Sequence, residues 1–125
     1  MGSIFSSTQK REDIEMALVK AKQIVSSNPV VVFSKTYCGY CSKVKKLLSQ
    51  LQASYKLIEL DEESDGDDIQ AALAEWTGQR TVPNVFINGK HIGGSDVVAA
   101  KNQQGTLVPL LLEAGAIADV STKEK

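Results

Sequence analysis

The chain is poor in the residue types on which most metal and nucleic-acid sites depend. Its 125 residues include two cysteines, one histidine and one tryptophan, and its formal net charge is -1. A closed structural zinc site takes about four cysteine, histidine or carboxylate ligands. Two cysteines and one histidine do not easily supply that set. A net charge near zero, with no basic run that alternates with aromatic residues, provides no field to attract nucleic acid. We therefore expect neither a closed zinc site nor a nucleic-acid partner.

Long hydrophobic runs are also missing. No apolar stretch approaches the ~20 residues needed to span a bilayer, and the first residues lack the apolar core of a secretory signal. With 42% hydrophobic and 23% charged residues, the composition fits one domain with an ordinary core. We expect a reducing, cytoplasmic setting and one domain at 11–116. A flexible polar segment at 1–10 precedes it and a disordered tail at 117–125 follows.

Both cysteines fall in one short motif, Cys38-Gly39-Tyr40-Cys41, between an apolar strand-like run and an amphipathic helical stretch. At such a junction Cys38 lies at a helix N-terminus, where free N–H groups and the helix dipole stabilise a thiolate. Cys41 follows one turn later, so its sulfur can reach Cys38. A structural disulfide is disfavoured because it would enclose only two residues. The spacing predicts a redox-active dithiol, and a metal-ligand role stays open.

Hydrophobic periodicity predicts the order α-β-α-β-α-β-β-α-α, with helices on both faces of a small mixed sheet. The predicted helices are 11–28, a segment from the cysteine motif to Leu51, a segment from the acidic stretch 61–68 to Gly78, 96–101 and 106–114. The predicted strands are 30–33, 57–60, 84–87 and 90–92. The first two strands should be parallel, because a helix connects them, and the last two should form a hairpin across Asn88-Gly89.

Three further features are interpreted as structural. Carboxylates in 61–68 could bind a cation, but their position ahead of an apolar stripe favours a solvated helix N-terminus. Trp76 completes that stripe and is assigned to the core. His91 is expected on the surface of a hairpin strand and not as a general base, since a cysteine ionised by its position needs none.

Three motifs together resemble the glutaredoxin family: Tyr37-Cys38-Gly39-Tyr40-Cys41, Thr81-Val82-Pro83 and Gly93-Gly94-Ser95-Asp96. Their order and spacing are most similar to plant dithiol glutaredoxins of the CGYC type, over residues 12–115. The resemblance implies the thioredoxin fold, an α/β fold in which helices flank both faces of a four-stranded mixed sheet. It also implies a glutathione-dependent thiol-disulfide oxidoreductase whose partners are glutathione and glutathionylated proteins.

The same resemblance assigns roles to residues. Cys38 would attack a mixed disulfide and keep the glutathione moiety, which a second glutathione would release. The backbone of Val82, beside a cis Pro83, would pair with the glutathione cysteine. The expected glutathione contacts are Lys35, Tyr40, Gln70, Arg80, Thr81, Val82, Pro83, Gly94, Ser95 and Asp96.

Opposite ends of the tripeptide would meet different residues. Lys35 and Gln70, with Arg80 nearby, would hold the glycine carboxylate through charge-assisted bonds. Ser95 and Asp96, at a helix start, would take the γ-glutamyl carboxylate and amine respectively. Ordinary alternatives stay open, because lysines and arginines are commonly solvated and Ser or Asp commonly caps a helix.

Gly39 replaces a proline that many dithiol glutaredoxins and thioredoxins carry within or next to the two-residue insert. Glutaredoxins with glycine or serine here resemble those that assemble a 2Fe-2S cluster. The resemblance implies a homodimer in which Cys38 of each chain and two glutathione thiolates ligate the cluster, and a monomer otherwise. One alternative is a chain that is mainly an iron-sulfur carrier or redox sensor. Another is a thioredoxin-like reductase fed by a flavoenzyme, against which Tyr40 argues.

Residues 1–6 match M-G-x-x-x-[ST], the acceptor pattern for N-myristoylation in eukaryotes. A chance match in a short Ser-rich start explains the pattern equally well. One myristoyl chain gives only reversible membrane contact. We expect a cytoplasmic protein that is peripheral to membranes only if Gly2 is acylated.

Overall fold

The chain folds into a four-stranded mixed sheet between two layers of helices. The computed structural model describes residues 2–118, and their side chains from residue 8 onward. The elements are α1 (Gly2–Ser27), β1 (Val30–Ser34), α2 (Gly39–Gln50), β2 (Lys56–Glu59), a 3-10 turn (Leu60–Glu62), α3 (Gly66–Thr77), β3 (Asn84–Ile87), β4 (Lys90–Gly93), α4 (Ser95–Gln103) and α5 (Leu107–Glu113). Within residues 2–118, no helix combines the length and the apolar character that a membrane span requires.

The sheet has the strand order β2-β1-β3-β4. β1 pairs parallel to β2 and antiparallel to β3, and β3 pairs antiparallel to β4. The hairpin turns at Asn88 and Gly89, whose φ values of 54° and 78° suit a tight two-residue turn. The predicted strand directions and the predicted fold are therefore confirmed.

Two apolar cores lie on opposite faces of β1, whose alternate side chains point to opposite sides of the sheet. Val31 and Phe33 pack with the buried faces of α1 and α3. Val30 and Val32 pack instead with α2, α4 and α5. All four of these side chains are fully buried. This double burial explains why the strand is apolar at every position, and it fixes the point at which the chain enters the cysteine motif.

Helix α1 begins at Gly2, so the prediction that the helix starts at Arg11 is wrong and residues 2–10 are helical. Extending an existing helix is easier than nucleating one, because each added residue gains a hydrogen bond. Contacts with α3 also reach into this segment. The ion pairs between α1 and the α3 region are Lys10–Asp68 at 2.8 Å, Arg11–Glu75 at 2.9 Å and Lys20–Asp65 at 3.0 Å.

The other boundaries differ from prediction by a few residues. β2 begins at Lys56 and ends at Glu59, because Leu60 already belongs to the 3-10 turn. Helix α4 begins at Ser95 and extends to Gln103. Ile117, the residue after the predicted domain end at 116, packs against the second core. The rest of the predicted tail, at 119–125, lies outside the described residues. Met1 of the acylation pattern and the side chains of residues 2–7 also lie outside the described part of the chain.

Candidate functional site

Cys38 lies where β1 gives way to α2. It is the N-cap of α2, with φ -91° and ψ 119°, and its Sγ accepts a hydrogen bond from the Cys41 backbone N–H at 3.3 Å. The turn is closed by the Cys38 N–H, which donates to the Lys35 carbonyl oxygen at 3.1 Å. Cys38 is half-buried and Cys41 is fully buried, and both are free thiols. The helix start therefore directs unpaired N–H groups at the accessible sulfur, as the sequence predicts.

The two thiols have opposite acidities. Burial on its own would raise the pKa of Cys38, but hydrogen bonds from the Cys41 thiol and from the Cys41 and Tyr40 backbone lower it, and the charge of Lys45 adds to this effect. The net pKa of Cys38 is below its ordinary value. Burial, followed by the hydrogen bond to Cys38, raises the pKa of Cys41. Cys38 is thus the more acidic thiol of the pair, and its surroundings favour the thiolate form that reacts.

The positive charge of Lys45 lowers the pKa of Cys38. Lys45 lies one helical turn beyond Cys41, and its Nζ is 2.9 Å from Oε2 of Glu59. Both side chains are largely buried, with 21% and 13% of their surfaces exposed. Within the described part of the chain, Oε1 of Glu59 has no hydrogen-bond partner. Sequence periodicity did not identify this pair, because it joins a helix to a strand.

A groove of about 540 Å³ lies beside the cysteine motif. Its lining residues are Tyr40, Gln79, Thr81, Val82, Pro83, Gly94, Ser95, Asp96 and Val97. The Val82–Pro83 peptide bond is cis, as the resemblance implied. The Val82 carbonyl oxygen is 3.8 Å from the Cys38 sulfur, so this sulfur lies at the edge of the groove. Three motifs that are distant in sequence therefore meet in one place.

Ser95 and Asp96 lie in the first turn of α4, where they line the groove. The N-cap of that helix is Gly94, and its end has no side-chain cap bond among the described residues. The alternative that Ser95 and Asp96 serve as caps is therefore wrong. Their polar groups and the free N–H groups of the helix start face the same space.

Lys35, Gln70 and Arg80 are not among the residues that line the groove. Gln70 Nε2 donates to the Arg80 carbonyl oxygen at 2.8 Å, so this amide supports the segment that leads to Pro83. Arg80 is exposed and Lys35 is half-buried. Whether these three side chains hold a carboxylate stays a prediction.

Sequence reasoning missed Gln79 and placed His91 only on the surface. Gln79 Nε2 donates to the carbonyl oxygens of Thr81 and Pro83, at 3.0 and 2.9 Å. His91 Nε2 is 3.2 Å from Gln79 Oε1 and 2.9 Å from Asn84 Oδ1. Burial lowers the pKa of His91. The available signal was the adjacency of Gln79 to the Thr81-Val82-Pro83 motif, but its pairing with a hairpin residue depends on the tertiary fold.

The remaining candidates take structural places. Trp76 stacks on Phe86 with ring centroids 4.9 Å apart, so its assignment to the core is confirmed. In the acidic segment, Glu63, Asp65 and Asp68 lie within ion-pair distance of lysines on α1. Among the described residues, no three His, Cys, Asp or Glu side chains are grouped to hold a metal ion.

Exposed aromatic side chains flank the cysteine motif. Tyr37 and Tyr40 have 69% and 60% of their surfaces accessible. Lys43 Nζ lies 5.2 Å from the centroid of the Tyr40 ring. Val97, which also lines the groove, is 40% exposed. The surface around Cys38 is therefore partly apolar and open.

Comparison with known proteins agrees with this geometry. The family model described as Glutaredoxin matches residues 30–92. Glutaredoxin-C1 of Arabidopsis thaliana is 64% identical over 124 residues, which cover 98% of this chain and 99% of that protein.

Two solved structures of plant glutaredoxins are similar to the structure of this chain. A buckwheat glutaredoxin-glutathione complex superposes with a TM-score of 0.85 and 71% identity, covering 86% of this chain and 97% of that one. The holo form of glutaredoxin C1 from Populus tremula x tremuloides superposes with a TM-score of 0.78 and 65% identity, covering 79% and 98%. Both similarities extend over nearly the whole of the other chain.

Proposed function

The chain belongs to the glutaredoxin family of oxidoreductases that act on glutathione-linked disulfides, and we propose that it reduces protein-glutathione mixed disulfides through the Cys38 thiolate. One observation carries the proposal. A half-buried sulfur with a lowered pKa stands 3.8 Å from Val82, at the edge of a groove of about 540 Å³. A tripeptide fits such a groove, and the nucleophile stands where its cysteine would arrive.

The reaction is an exchange of sulfur–sulfur bonds. The Cys38 thiolate attacks the glutathione sulfur of the mixed disulfide, a bond forms between these two sulfurs, and the substrate protein leaves as a thiolate that takes a proton from water. A second glutathione thiolate then attacks the glutathione sulfur held on Cys38, forming glutathione disulfide and restoring Cys38. Each step requires three sulfurs in line, so the groove selects which sulfur is attacked by holding the tripeptide.

The contact between Cys38 and Val82 changes with ionisation. A protonated Cys38 can donate to the Val82 carbonyl oxygen, whereas a thiolate has no proton to donate. Ionisation therefore frees that carbonyl oxygen to accept the backbone N–H of an extended ligand. The state in which Cys38 is a reactive thiolate is therefore also the state in which the Val82 carbonyl oxygen can bind a ligand.

The ends of the groove match the charges of glutathione. The γ-glutamyl carboxylate is suited to the N-terminus of α4 at Ser95, and the γ-glutamyl amine to the carboxylate of Asp96. We assign the glycine carboxylate to the positively charged side chains of Lys35 and Arg80. Gln70 supports the Arg80 backbone by donating a hydrogen bond to its carbonyl oxygen.

Substitution of each cysteine tests the assignment. In an assay of glutathione-coupled reduction of a glutathionylated peptide, we expect Cys38→Ser to abolish turnover, because no other described thiol has a lowered pKa. We expect Cys41→Ser to keep a substantial part of it, because the glutathione route uses only Cys38. Full activity in Cys38→Ser, or loss of activity in both variants alike, contradicts the proposal.

We further propose that the chain assembles a glutathione-ligated 2Fe-2S cluster in a homodimer. Cys38 is accessible, whereas Cys41 is fully buried, so Cys38 is the sulfur available to a ligand shared between chains. A Cβ built at Gly39 meets no atom of the described residues within 4 Å, so the loop is uncrowded. We assign the remaining cluster ligands to glutathione and to Cys38 of a second chain.

A further inference from the structure

Gln79 occupies a special place in the groove wall, since its one side-chain nitrogen holds both sides of the cis peptide. It donates to the Thr81 carbonyl oxygen at 3.0 Å and to the Pro83 carbonyl oxygen at 2.9 Å. Val82 lies between these two residues. Fixing the carbonyls on either side limits the rotation of the Val82 backbone, which is the edge that an extended ligand would meet.

The numbers of hydrogen-bond donors and acceptors determine how the Gln79 side-chain amide is oriented. An amide nitrogen has two protons, and both are used on carbonyl oxygens, so Gln79 Oε1 must point toward His91. His91 Nε2 then faces two acceptors, Gln79 Oε1 at 3.2 Å and Asn84 Oδ1 at 2.9 Å. A nitrogen that faces two acceptors carries a proton. With the Asn84 oxygen toward the ring, this geometry favours the Nε2–H form of His91.

The histidine is itself held in place. His91 pairs with Phe86 in the β3–β4 ladder, and the two rings lie 5.3 Å apart. Asn84 is 1% exposed, and its Nδ2 has no partner among the described residues. The Asn84 amide therefore contacts His91 from a buried position, where packing limits its movement.

We infer that Gln79 and His91 are positioning residues of the glutathione groove: His91 orients the Gln79 amide, and Gln79 fixes the Val82 backbone by holding the carbonyl oxygens of Thr81 and Pro83. This inference rests on the proposed function, because it concerns how the same groove holds glutathione. Neither residue acts on the sulfur itself. Their removal should therefore affect ligand capture more than the chemical step.

Kinetics of a glutathionylated peptide test the role of Gln79. Losing two hydrogen bonds in Gln79→Ala should raise KM by about tenfold. The kcat and the pH profile of Cys38 alkylation should stay close to wild type, because the donors to Cys38 are untouched. His91→Phe keeps a ring against Phe86 but loses the N–H, and should raise KM by less. Gln103→Ala, at an exposed position near the end of α4, is the matched control and should change neither constant.

A spectroscopic measurement tests the network in the wild-type protein. The chain has one histidine, so long-range 1H–15N correlations assign its ring nitrogens directly. At pH 8 we expect the Nε2–H tautomer, and in Gln79→Ala we expect faster exchange of that proton with water. An Nδ1–H tautomer in the wild type overturns the inference even if Gln79→Ala does not fold.

The outcomes separate the two proposals. No turnover of the peptide by the wild-type chain would overturn the proposed function and this inference together. Normal wild-type turnover with an unchanged KM in Gln79→Ala overturns the inference alone. A fall in kcat with KM unchanged also overturns it, because that result indicates a lost fraction of active protein or a role in the chemical step.

Discussion

At the scale of single residues, the proposed chemistry depends on the difference in acidity between Cys38 and Cys41. Cys38 and Cys41 are one turn apart on α2, yet burial raises the pKa of the inner thiol while hydrogen bonds and Lys45 lower that of the outer one. The inner thiol keeps its proton and donates toward the outer sulfur. Hydrogen bonds and a neighbouring charge therefore favour the Cys38 thiolate, whereas the contacts of His91 are with Gln79 and Asn84.

Lys45→Met tests the electrostatic part of this difference in acidity. Removing a positive charge disfavours the thiolate, so the pKa of Cys38 should rise, its alkylation profile should move to higher pH, and its alkylation rate at pH 7 should fall. Mass spectrometry of iodoacetamide-treated protein across a pH series measures the shift.

Two further variants serve as controls for the Lys45→Met experiment. Lys46→Met, an exposed position on the same helix, should leave the alkylation profile unchanged. Lys45→Met combined with Glu59→Gln avoids leaving a buried carboxylate unpaired and should keep the upward shift, because the positive charge of Lys45 is absent from both variants. An alkylation midpoint equal to wild type in both Lys45 variants would exclude a role for this charge.

At the scale of elements, the acidic segment is a packed connection and not a free loop. The 3-10 turn Leu60–Glu62 ends β2, and Gly66 starts α3 against it. A Cβ built at Gly66 would lie 1.8 Å from the Leu60 carbonyl oxygen, closer than any real contact. Only glycine lets α3 approach the end of β2 this closely, and α3 carries Gln70 and Trp76.

Gly66→Ala should therefore destabilise the protein. We expect a loss of about 1–3 kcal/mol in the free energy of unfolding, as for other substitutions that overfill a packed interior. Urea denaturation followed by circular dichroism measures it. Gly39→Ala is the matched control, because its Cβ would meet no described atom within 4 Å, and it should unfold at a urea concentration near that of wild type. Equal stability of both variants would mean that α3 can shift without cost.

At the scale of the whole molecule, the two-sided sheet puts the chemistry at one end of the fold. β1 is buried on both faces, so its C-terminal end is fixed by both cores at once. The cysteine motif leaves that end, and the cis-proline loop enters β3 beside it. The sulfur, the loop and the start of α4 thus converge where a second molecule, or a second copy of the chain, can approach.

The proposed holo dimer is a prediction at this scale. After anaerobic reconstitution with iron, sulfide and glutathione, we expect a brown protein that elutes as a dimer and a colourless monomer once glutathione is removed. An absorption spectrum and a sizing column measure both properties. Cys41→Ser should stay coloured and Cys38→Ser should not, because only Cys38 is accessible to a shared ligand.

One more variant tests whether cluster assembly and mixed-disulfide reduction can be affected separately. Gly39→Pro places proline at the first position of α2, where a helix tolerates it, and stiffens the loop. We expect less cluster with little change in mixed-disulfide reduction. Colour that survives Cys38→Ser would contradict the proposed ligation, and a colourless monomer in the presence of glutathione would leave only the catalytic proposal.

The sequence by itself determined the local features of this protein. The apolar run at Val30, the stripe of α2 and the Asn88-Gly89 turn each depend on neighbouring residues, so their periodicity and turn chemistry predicted the strands, the helix and the hairpin. The position of Cys38 at a helix start is equally local. Its lowered pKa was therefore expected in direction before any tertiary contact was considered.

Only the tertiary structure decided which distant residues share the site. The Lys45–Glu59 pair and the Gln79–His91 contact join different elements, and no spacing along the chain encodes them. The early start of α1 was likewise not predicted from its Ser-rich sequence, and Lys10 in this segment pairs with Asp68 of α3. Long-range contacts depend on how the elements pack, and this explains why the sequence singled out Cys38 but not the contact between Gln79 and His91.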